Sequence, residues 1–402
     1  MKNVVVIGGG ASGMMAALTA AENRENRVIL LERQQRVGKK LLSTGNGRCN
    51  LTNTGATADN YHGADSDFVR PALEKFTPAD TVRFFNSLGL MTREEYGGRV
   101  YPYSNSANSV VDVLRFALEA AGVEVRTSCP VRQVKRAGAG YTAVTDAGEL
   151  PADKLIIACG GMAGTKVGGV KDGYELFAQL GHKSTRLYPA LVQLITDSEL
   201  PRALKGVRAE GTVRLTSGSQ LLAESRGEVQ FTDNGVSGPA VFDISRLAAM
   251  NGEGLCVHID LLPMSAEEFL GLLKERRERF PALESGELLT GMLHNRLGKT
   301  LLRGCLSDMN RPLCRLTDGE LESVAARCAD LALPVRGTEG FDNAQVTAGG
   351  VKTGGFDACT LESYYNPGLF ACGEVLDVDG DCGGYNLQWA WASGALAGRS
   401  EE

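Results

Sequence analysis

A glycine-rich turn near the N-terminus constrains the fold of this chain more strongly than any other feature. An apolar run over residues 4–7 leads into Gly8, and glycine recurs at Gly10 and Gly13 ahead of an alanine-rich segment. In this spacing the first glycine permits a tight strand-to-helix turn and the second admits a pyrophosphate close to the backbone. The third lets the helix pack against its strand. The pattern predicts a buried strand and a helix whose N-terminus faces an anion.

A second strand and an acidic residue complete this pattern. Residues 27–31 are apolar apart from Arg27, and Glu32 follows them directly, where a carboxylate can accept hydrogen bonds from a ribose. A glycine-rich turn by itself also occurs in ordinary α/β units. Because strand, turn, helix, second strand and acid follow one another in order, the sequence favours a dinucleotide-binding unit.

The length and the changing pattern of the chain predict three parts. With 402 residues, the chain is too long for one simple core. Short apolar strands and clustered glycines characterise residues 1–187 and return over residues 341–402, which predicts one discontinuous α/β domain. Between them, alternating apolar residues over 188–264 predict an antiparallel β unit, and helical spacing over 265–340 predicts a small helical insert.

Local patterns place several elements within the α/β domain. Helical spacing indicates a helix from about residue 68 to residue 88. A buried strand over residues 154–158 is expected to return to the first sheet and to end at Cys159. Residues 383–388 open a last helix with two glycines at its start.

Composition and charge exclude several classes of protein. A net charge of -6 argues against nucleic acid or an anionic membrane as the main partner. No stretch approaches the ~20 apolar residues that a membrane span needs, and the N-terminal apolar run is too short for a signal peptide. We therefore expect a cytoplasmic protein without a membrane span. The four histidines are scattered without metal-ligand spacing, so no metal site is expected.

The cysteines give no sign of a redox pair. The chain has 10 cysteines, none of them in a C-x-x-C pair, and in a cytoplasmic protein they are expected to be reduced thiols. Cys49 adjoins Arg48, which could ionise its thiol in part. Disulfide cycling needs two thiols, however, so a small residue packed beside a cofactor is the simpler interpretation of Cys49.

Three observations favour a flavin over a nicotinamide as the resident dinucleotide. No second glycine pattern with a following acid is present, so one stable dinucleotide site is expected. The glycine-marked strand near the C-terminus suggests that one extended cofactor is held by both ends of the chain. The helix that starts near residues 383–388 could stabilise negative charge on a reduced flavin ring. These features predict FAD as cofactor, with NAD(P)H as a transient electron donor.

The chain resembles the BaiN/YhiN-type family of FAD-dependent oxidoreductases, also described as aminoacetone-oxidase-like flavoproteins. The matching motifs are spread over the whole chain and comprise residues 38–43, 47–53, 235–239, 344–351, 373–380 and 383–388. The resemblance implies an α/β fold in which a Rossmann-like FAD-binding domain is interrupted by a β-barrel-like domain and a small helical insert. Asn46 and Cys159 depart from the usual family pattern.

The resemblance also implies a set of cofactor-binding residues. The N-terminal turn would meet the pyrophosphate, Glu32 the ribose, Val131 the adenine, and the start of the last helix the pyrimidine edge of the flavin. The full set is Gly8, Gly10, Ala11, Ser12, Gly13, Glu32, Arg33, Lys40, Thr44, Gly45, Asn46, Gly47, Arg48, Cys49, Asn50, Val131, Ala158, Cys159, Gly160, Gly373, Glu374, Asp379, Gly384, Tyr385, Asn386 and Leu387. No catalytic acid or base is identified, and Tyr385 and Arg48 are the candidates for polar groups on the substrate side.

Two functions of different class remain open at this point. The first is an FAD-dependent oxidoreductase whose flavin is reduced by NAD(P)H and reoxidised by an organic acceptor, such as a conjugated C=C bond, or by oxygen. Its substrate would be a small molecule. The second is a flavin-containing binding or sensing module, with the inserted domains docking a partner and little or no turnover. The oligomeric state does not follow from the sequence.

Overall fold

The computed structural model describes residues 1–197 and 199–399, which form two compact units. The first unit joins Met1–Pro189 to the C-terminal segment that begins at Phe341, and the second is Ala190–Gly340. Residues 400–402, which the sequence analysis assigned to the C-terminal segment, lie outside the described residues.

The N-terminal segment of the first unit alternates strands and helices, as the sequence pattern indicated. Its elements are β1 (Lys2–Ile7), α1 (Ala11–Glu22), β2 (Asn26–Leu31), β3 (Thr52–Asn53), β4 (Tyr61–His62), α2 (Arg70–Lys75), α3 (Pro78–Ser87), β5 (Thr92–Glu95), β6 (Arg99–Pro102), α4 (Ala107–Ala120), β7 (Glu124–Arg126), β8 (Val131–Ala137), β9 (Gly140–Thr145), β10 (Gly148–Ala152), β11 (Lys154–Ile157), α5 (Asp172–Gln179) and β12 (Tyr188–Ala190).

The second unit contains a closed six-stranded barrel of order β13-β16-β15-β14-β17-β18. Apolar residues alternate along its strands because one face of each strand points into the barrel core. Its elements are β13 (Leu194–Thr196), α6 (Leu200–Ala203), β14 (Arg208–Ser217), β15 (Gln220–Phe231), β16 (Gly235–Ser237), α7 (Pro239–Asn251), β17 (Leu255–Asp260), α8 (Ala266–Arg279), α9 (Asn295–Arg303), α10 (Asp318–Ala329) and β18 (Leu331–Thr338).

The C-terminal segment returns to the first unit and supplies the fifth strand of its parallel sheet. Its elements are β19 (Val346–Ala348), β20 (Leu369–Ala371), β21 (Asp379–Gly380) and α11 (Tyr385–Gly398). The sheet has the order β20-β11-β1-β2-β7, and each neighbouring pair is parallel. Its central strand β1 is fully apolar from Val4 to Ile7 and is buried, because helices cover both faces of such sheets. The predicted α/β class with a Rossmann-type sheet and a barrel is confirmed.

Helices α1 and α11, from opposite ends of the chain, pack tightly against each other. A Cβ atom on Gly394 would lie 2.4 Å from the carbonyl oxygen of Ser12, and one on Gly398 would lie 2.5 Å from that of Ala16. Glycine is therefore required at both positions of α11, since its backbone touches the backbone of α1. This contact brings the C-terminal segment next to the glycine-rich turn.

Two local expectations differ from the structure. The helix expected over residues 68–88 is interrupted, because Thr77 forms a capping box with Asp80 and Pro78 starts a new helix, α3. Strand β18 lies in the stretch that was assigned to the helical insert. Its apolar residues alternate at period two, with Leu331, Leu333 and Val335 buried, and it closes the barrel between β13 and β17.

A search of the described residues finds no helix with the length and apolar character needed to cross a membrane. Over the same residues, no group of three histidine, cysteine, aspartate or glutamate side chains is placed to hold a metal ion.

Candidate functional site: a dinucleotide groove in the first unit

The glycine-rich turn between β1 and α1 has the geometry that its spacing predicts. Gly8 has φ +111°, and a Cβ atom on it would lie 2.4 Å from the carbonyl oxygen of Ala158. A Cβ on Gly13 would lie 1.8 Å from the carbonyl oxygen of Gly8, so α1 rests directly on the turn. At Gly10, by contrast, a Cβ would meet nothing within 4 Å. Two glycines are therefore needed by the fold, while Gly10 faces open space at the N-terminus of α1, where an anion can bind.

Glu32, the residue that follows β2, also holds the glycine-rich turn in place. Its side chain is only 8% exposed, and Oε2 accepts a hydrogen bond from the N–H of Gly9 at 2.8 Å. Oε1 accepts from the N–H of Gln34 at 2.7 Å. Each carboxylate oxygen can accept a further hydrogen bond, so these contacts leave acceptors for ribose hydroxyls.

Val131, expected beside the adenine, and other members of the predicted cofactor-binding set lie near the carboxyl edge of the sheet. The N–H of Cys129 donates to the carbonyl of Glu32 at 2.9 Å, which holds the start of β8, and with it Val131, beside the end of β2. The N–H of Ala158 donates to the carbonyl of Ile7 at 2.8 Å, and Gly160 beyond it has φ +74°. Burial raises the pKa of the Cys159 thiol. Arg33 is exposed and pairs with Asp172 at 3.1 Å on the surface.

The C-terminal segment meets the turn at Gly373. A Cβ on Gly373, which has φ +76°, would lie 2.4 Å from Oγ of Ser12. The N–H of Gly373 donates to Oγ of Ser393 at 2.9 Å. The first turn of α1 and the residues after β20 therefore share one packed corner, as expected if both ends of the chain hold the same ligand.

Lys40 and Glu374 join the two parts of the site through an ion pair. The distance from Nζ of Lys40 to Oε2 of Glu374 is 2.7 Å, and both side chains are partly buried. Oε1 of Glu374 also accepts from the N–H of Thr347 at 2.8 Å. Lys40, expected along the cofactor phosphates, thus has its charge balanced by Glu374, and the pair fixes the loop after β2 against the C-terminal segment.

The loop of residues 44–50 is held in an uncommon backbone conformation. Gly45, Asn46 and Gly47 have φ values of 55°, 55° and 83°, all in the left-handed region. Asparagine tolerates this region better than most residues, so Asn46 can replace the glycine that is usual in the family.

A buried acceptor without a partner lies where this loop meets the last helix. Oδ1 of Asn50 is buried and has no hydrogen-bond donor among the described residues. It lies 2.9 Å from the position of a Cβ on Gly384, the residue that precedes α11. An unsatisfied buried acceptor is unfavourable in a folded protein, and a bound water or a ligand can supply the donor.

The start of α11 is fixed by contacts to two short strands. Gly384 has φ +103°, and the carbonyl of Tyr385 accepts from the hydroxyl of Tyr61 at 2.9 Å. The Asn386 amide brackets Gly380, donating from Nδ2 to its carbonyl at 2.7 Å and accepting at Oδ1 from its N–H at 2.8 Å. This places buried Asp379 and half-buried Leu387 at the same end of the groove.

Arg48 acts as a brace within the site. Its Nη2 lies 2.5 Å from Oε1 of Glu95, its Nε donates to Asn105 at 3.0 Å, and its guanidinium stacks 4.0 Å from the centre of the Tyr101 ring. The hydrogen bond from Arg48 holds the pKa of the Glu95 carboxyl below its usual range. Tyr385, the other candidate for the substrate side, is the first residue of α11.

Sequence reasoning missed the hairpin of β5 and β6, which supplies Glu95 and Tyr101. The pair Gly97-Gly98 between two charged stretches is a hairpin signal that could have revealed it. The contact of its side chains with the loop of residues 44–50 has no signal in the sequence, since about fifty residues separate them.

Cys49 does not have the properties of a reactive thiol. It is fully buried and forms no disulfide, and burial raises its pKa from 9.0 to about 12. The neighbouring charge of Arg48 is directed to Glu95 instead. The interpretation of Cys49 as a packed small residue is therefore supported over a redox role.

The groove fits FAD. Space in front of Gly10 and free acceptor capacity on Glu32 suit the pyrophosphate and ribose, and Oδ1 of Asn50 has acceptor capacity left at the opposite end. Gly8, Gly10 and Ser12 would hold the phosphates, while the loop of residues 44–50 and the start of α11 would hold the flavin ring.

Comparisons with known proteins show which proteins this chain resembles along its whole length. A family profile described as "HI0933-like protein Rossmann domain" matches residues 2–400. The 3-dehydro-bile acid delta(4,6)-reductase of Clostridium scindens is 42% identical over 100% of this chain and 99% of its own length. The ribosomal RNA dihydrouridine synthase of Escherichia coli K12 is 32% identical over 97% of this chain and 96% of its own length.

A solved structure shares the fold over the full length of the chain. The 3-ketosteroid delta1-dehydrogenase of Sterolibacterium denitrificans has a TM-score of 0.51 and 13% identity, and the match covers 99% of both chains. At this identity the likeness concerns the fold alone. The full-length profile match and the relative at 42% identity decide the family. The chain belongs to the HI0933-like Rossmann family of FAD-dependent oxidoreductases.

Proposed function

We propose that this protein reduces a C=C bond conjugated to a carbonyl group, with FAD as its cofactor and NAD(P)H as its electron donor. The observation that carries the proposal is a property shared by the two relatives. One is named as a delta(4,6)-reductase of a 3-dehydro acid, and the other as a synthase of dihydrouridine. Both names describe the saturation of a C=C bond that is conjugated to a carbonyl, although the two substrates differ in every other respect.

The residues of the site are compatible with hydride chemistry and not with thiol chemistry. Bound FAD would supply the capacity to accept and to donate a hydride. The high pKa of Cys49 keeps its thiol protonated at neutral pH, so it is a poor nucleophile. The ion pairs of Lys40 with Glu374 and of Arg48 with Glu95 hold the loop around the ring in place.

A steroid-type enone is the first candidate substrate, because the bile-acid enzyme is 42% identical to this chain over its whole length. Uridine in RNA is the second candidate, supported by the 32% identity to the dihydrouridine synthase over 97% of the chain. The net charge of -6 disfavours a broad electrostatic attraction to RNA.

Anaerobic spectroscopy followed by product analysis tests the proposal. The purified protein is expected to be yellow and to lose its colour when NADH or NADPH is added. The colour should then return on addition of a steroid enone, and mass spectrometry should show an enone that has gained two hydrogen atoms. Saturated steroid ketones are the matched control and should restore no colour under anaerobic conditions.

The same experiment separates the other possibilities. If a uridine-containing ribosomal RNA fragment restores the colour and steroid enones do not, the second candidate replaces the first. Protein that stays yellow with every donor and acceptor would contradict the reductase function and favour a flavin-containing binding or sensing module.

A further inference from the structure

Three arginine side chains gather on one face of the β5–β6 hairpin. The strands are antiparallel, with Arg93 opposite Tyr101 and Glu95 opposite Arg99, so these four side chains share one face. Arg48 lies on the same face, over the Tyr101 ring. Val100 and Pro102 alternate with them on the other face and are buried.

The positive charge on this face exceeds the negative charge. Glu95 is the one carboxylate among the four hairpin residues of the face, and it already pairs with Arg48 at 2.5 Å and with Arg93 at 2.7 Å. The guanidinium of Arg99 has no ion-pair or side-chain hydrogen-bond partner among the described residues, although the residue is only half exposed. An arginine that is partly buried without an anion is in an unfavourable position wherever its guanidinium loses hydration without compensation.

Arg99 lies at the end of the groove where the last helix begins. Its Nε is 3.5 Å from the position of a Cβ on Gly383. One side-chain amide connects the two segments, since Nδ2 of Asn53 donates to the carbonyl of Gly97 at 2.9 Å and to that of Gly383 at 3.1 Å. The tip of the hairpin and the residues before α11 are therefore immediate neighbours.

The tip of the hairpin also carries an aromatic side chain that is exposed and has no partner in the part of the chain that the structure describes. Tyr96 is 100% exposed and precedes two glycines that both have φ +75°. A tyrosine presents a flat apolar ring at a low cost in conformational entropy, and it is used in recognition sites for this reason.

We propose that this hairpin is the specificity element of the site, with Arg99 binding an anionic group of the substrate and Tyr96 packing against its flat unsaturated body. The inference rests on the proposed function and adds the chemical class of the substrate: a planar conjugated carbonyl compound that carries a carboxylate or a phosphate. Arg48 and Arg93 raise the local positive potential, while Glu95 holds both of them in position.

A pair of ligands that differ only in charge tests the role of Arg99. The probes are a steroid carboxylic acid with a conjugated ketone and its methyl ester. Their dissociation constants are measured from the change in flavin absorbance of the oxidised holoprotein. Arg99→Gln is expected to weaken binding of the acid at least about tenfold, the value of one charge-assisted hydrogen bond, and to change binding of the ester less than about twofold.

Matched variants keep this result interpretable. Arg24→Gln removes an exposed arginine just before β2, at the amino ends of the parallel strands, and should leave both dissociation constants unchanged. Tyr96→Ala should weaken the acid and the ester equally, and Tyr96→Phe should restore both. Flavin content and melting temperature of each variant show whether the fold and the cofactor are retained.

The outcomes distinguish this inference from the proposed function. The inference would be overturned if the wild-type protein bound acid and ester with equal affinity, or if Arg99→Gln weakened binding of both equally, even if enones are reduced. Weaker binding of the acid alone in Arg99→Gln would support the inference even if no donor reduces the flavin. A uridine-containing oligoribonucleotide is tested separately. If Arg99→Gln weakens binding of this oligoribonucleotide and the steroid acid does not bind at all, the anion that Arg99 recognises is a phosphate.

Discussion

The two ends of the groove are built in different ways. At the turn of Gly8–Gly13, backbone contacts fix the structure. Glycines lie against carbonyl oxygens, and Glu32 accepts hydrogen bonds from two backbone N–H groups. At the other end, side chains dominate: Arg48 and Arg93 share Glu95, Arg99 has no counter-ion among the described residues, and Asn50 has an unsatisfied oxygen.

This difference corresponds to two kinds of ligand: a cofactor that is common to many enzymes, and a substrate that is specific to one enzyme. The pyrophosphate is the same in every FAD enzyme, so backbone geometry suffices to bind it. A substrate varies between relatives, and side chains on a hairpin can be exchanged without disturbing the parallel sheet. Variants at the first end should therefore affect folding and flavin content, and variants of the hairpin residues Tyr96 and Arg99 at the second end should mainly affect substrate binding.

The largest effect is expected for Gly13→Ala. The new Cβ would lie 1.8 Å from the carbonyl oxygen of Gly8, so either α1 or the turn must move. We expect a loss of about 3 kcal/mol or more in the free energy of unfolding, measured by urea denaturation. Gly271→Ala, inside α8, where a Cβ meets nothing within 4 Å, is the matched control for replacing a helical glycine. A Gly13→Ala protein as stable as the wild type would show that the backbone contact is not required.

Gly10→Val should remove the flavin and keep the fold. Gly10 has φ -81°, which suits any residue, and its Cβ position is open. The valine side chain would occupy the space expected for the pyrophosphate. We expect FAD binding to weaken at least about 100-fold, or about 2.8 kcal/mol, in a protein that melts like the wild-type apoprotein. Full flavin content in this variant would show that the cofactor lies elsewhere.

Glu32→Gln should affect both folding and cofactor binding, to a smaller extent. Glutamine has a single acceptor oxygen, so one of the two backbone hydrogen bonds from Gly9 and Gln34 is lost. Calorimetry of the apoprotein should show a loss of about 1–3 kcal/mol, because the acceptor is charged and buried. Titration with FAD should show weaker binding as well. An unchanged apoprotein would mean that Glu32 serves the ribose alone.

The smallest effect is expected for Cys49→Ala, although this residue lies at the substrate end. Burial raises the pKa of the thiol to about 12, so neither iodoacetamide at pH 8 nor removal of the sulfur should abolish enone reduction. The wild-type protein should lose stability as the pH rises from 9.0 towards 12, since the unfolded chain ionises there and the folded one does not. Cys49→Ala should lack this part of the alkaline loss in pH-dependent denaturation. Rapid inactivation by iodoacetamide would instead indicate an accessible thiolate.

Local patterns in the sequence predicted the geometry of the glycine-rich turn, but not the contacts of the loop of residues 44–50. Gly8, Gly10, Gly13 and Glu32 lie within one strand-turn-helix-strand unit, so their spacing alone defines their geometry. The role of Arg48 stays a prediction, and its partners Glu95 and Tyr101 come from a hairpin that is distant in sequence. Strand β18 was missed because three helices precede it in sequence, and its partners β13 and β17 lie far away in the chain.

The sequence by itself determined the α/β class, the turn between β1 and α1 and the family of this protein, because these depend on local spacing and on motifs within short stretches. Only the tertiary structure decided that Arg48 is a brace, that the thiol of Cys49 is buried, and that Arg99 adjoins Gly383. Charge balance and burial depend on residues that are distant in sequence and adjacent in space. Neither quantity can be obtained from spacing along the chain.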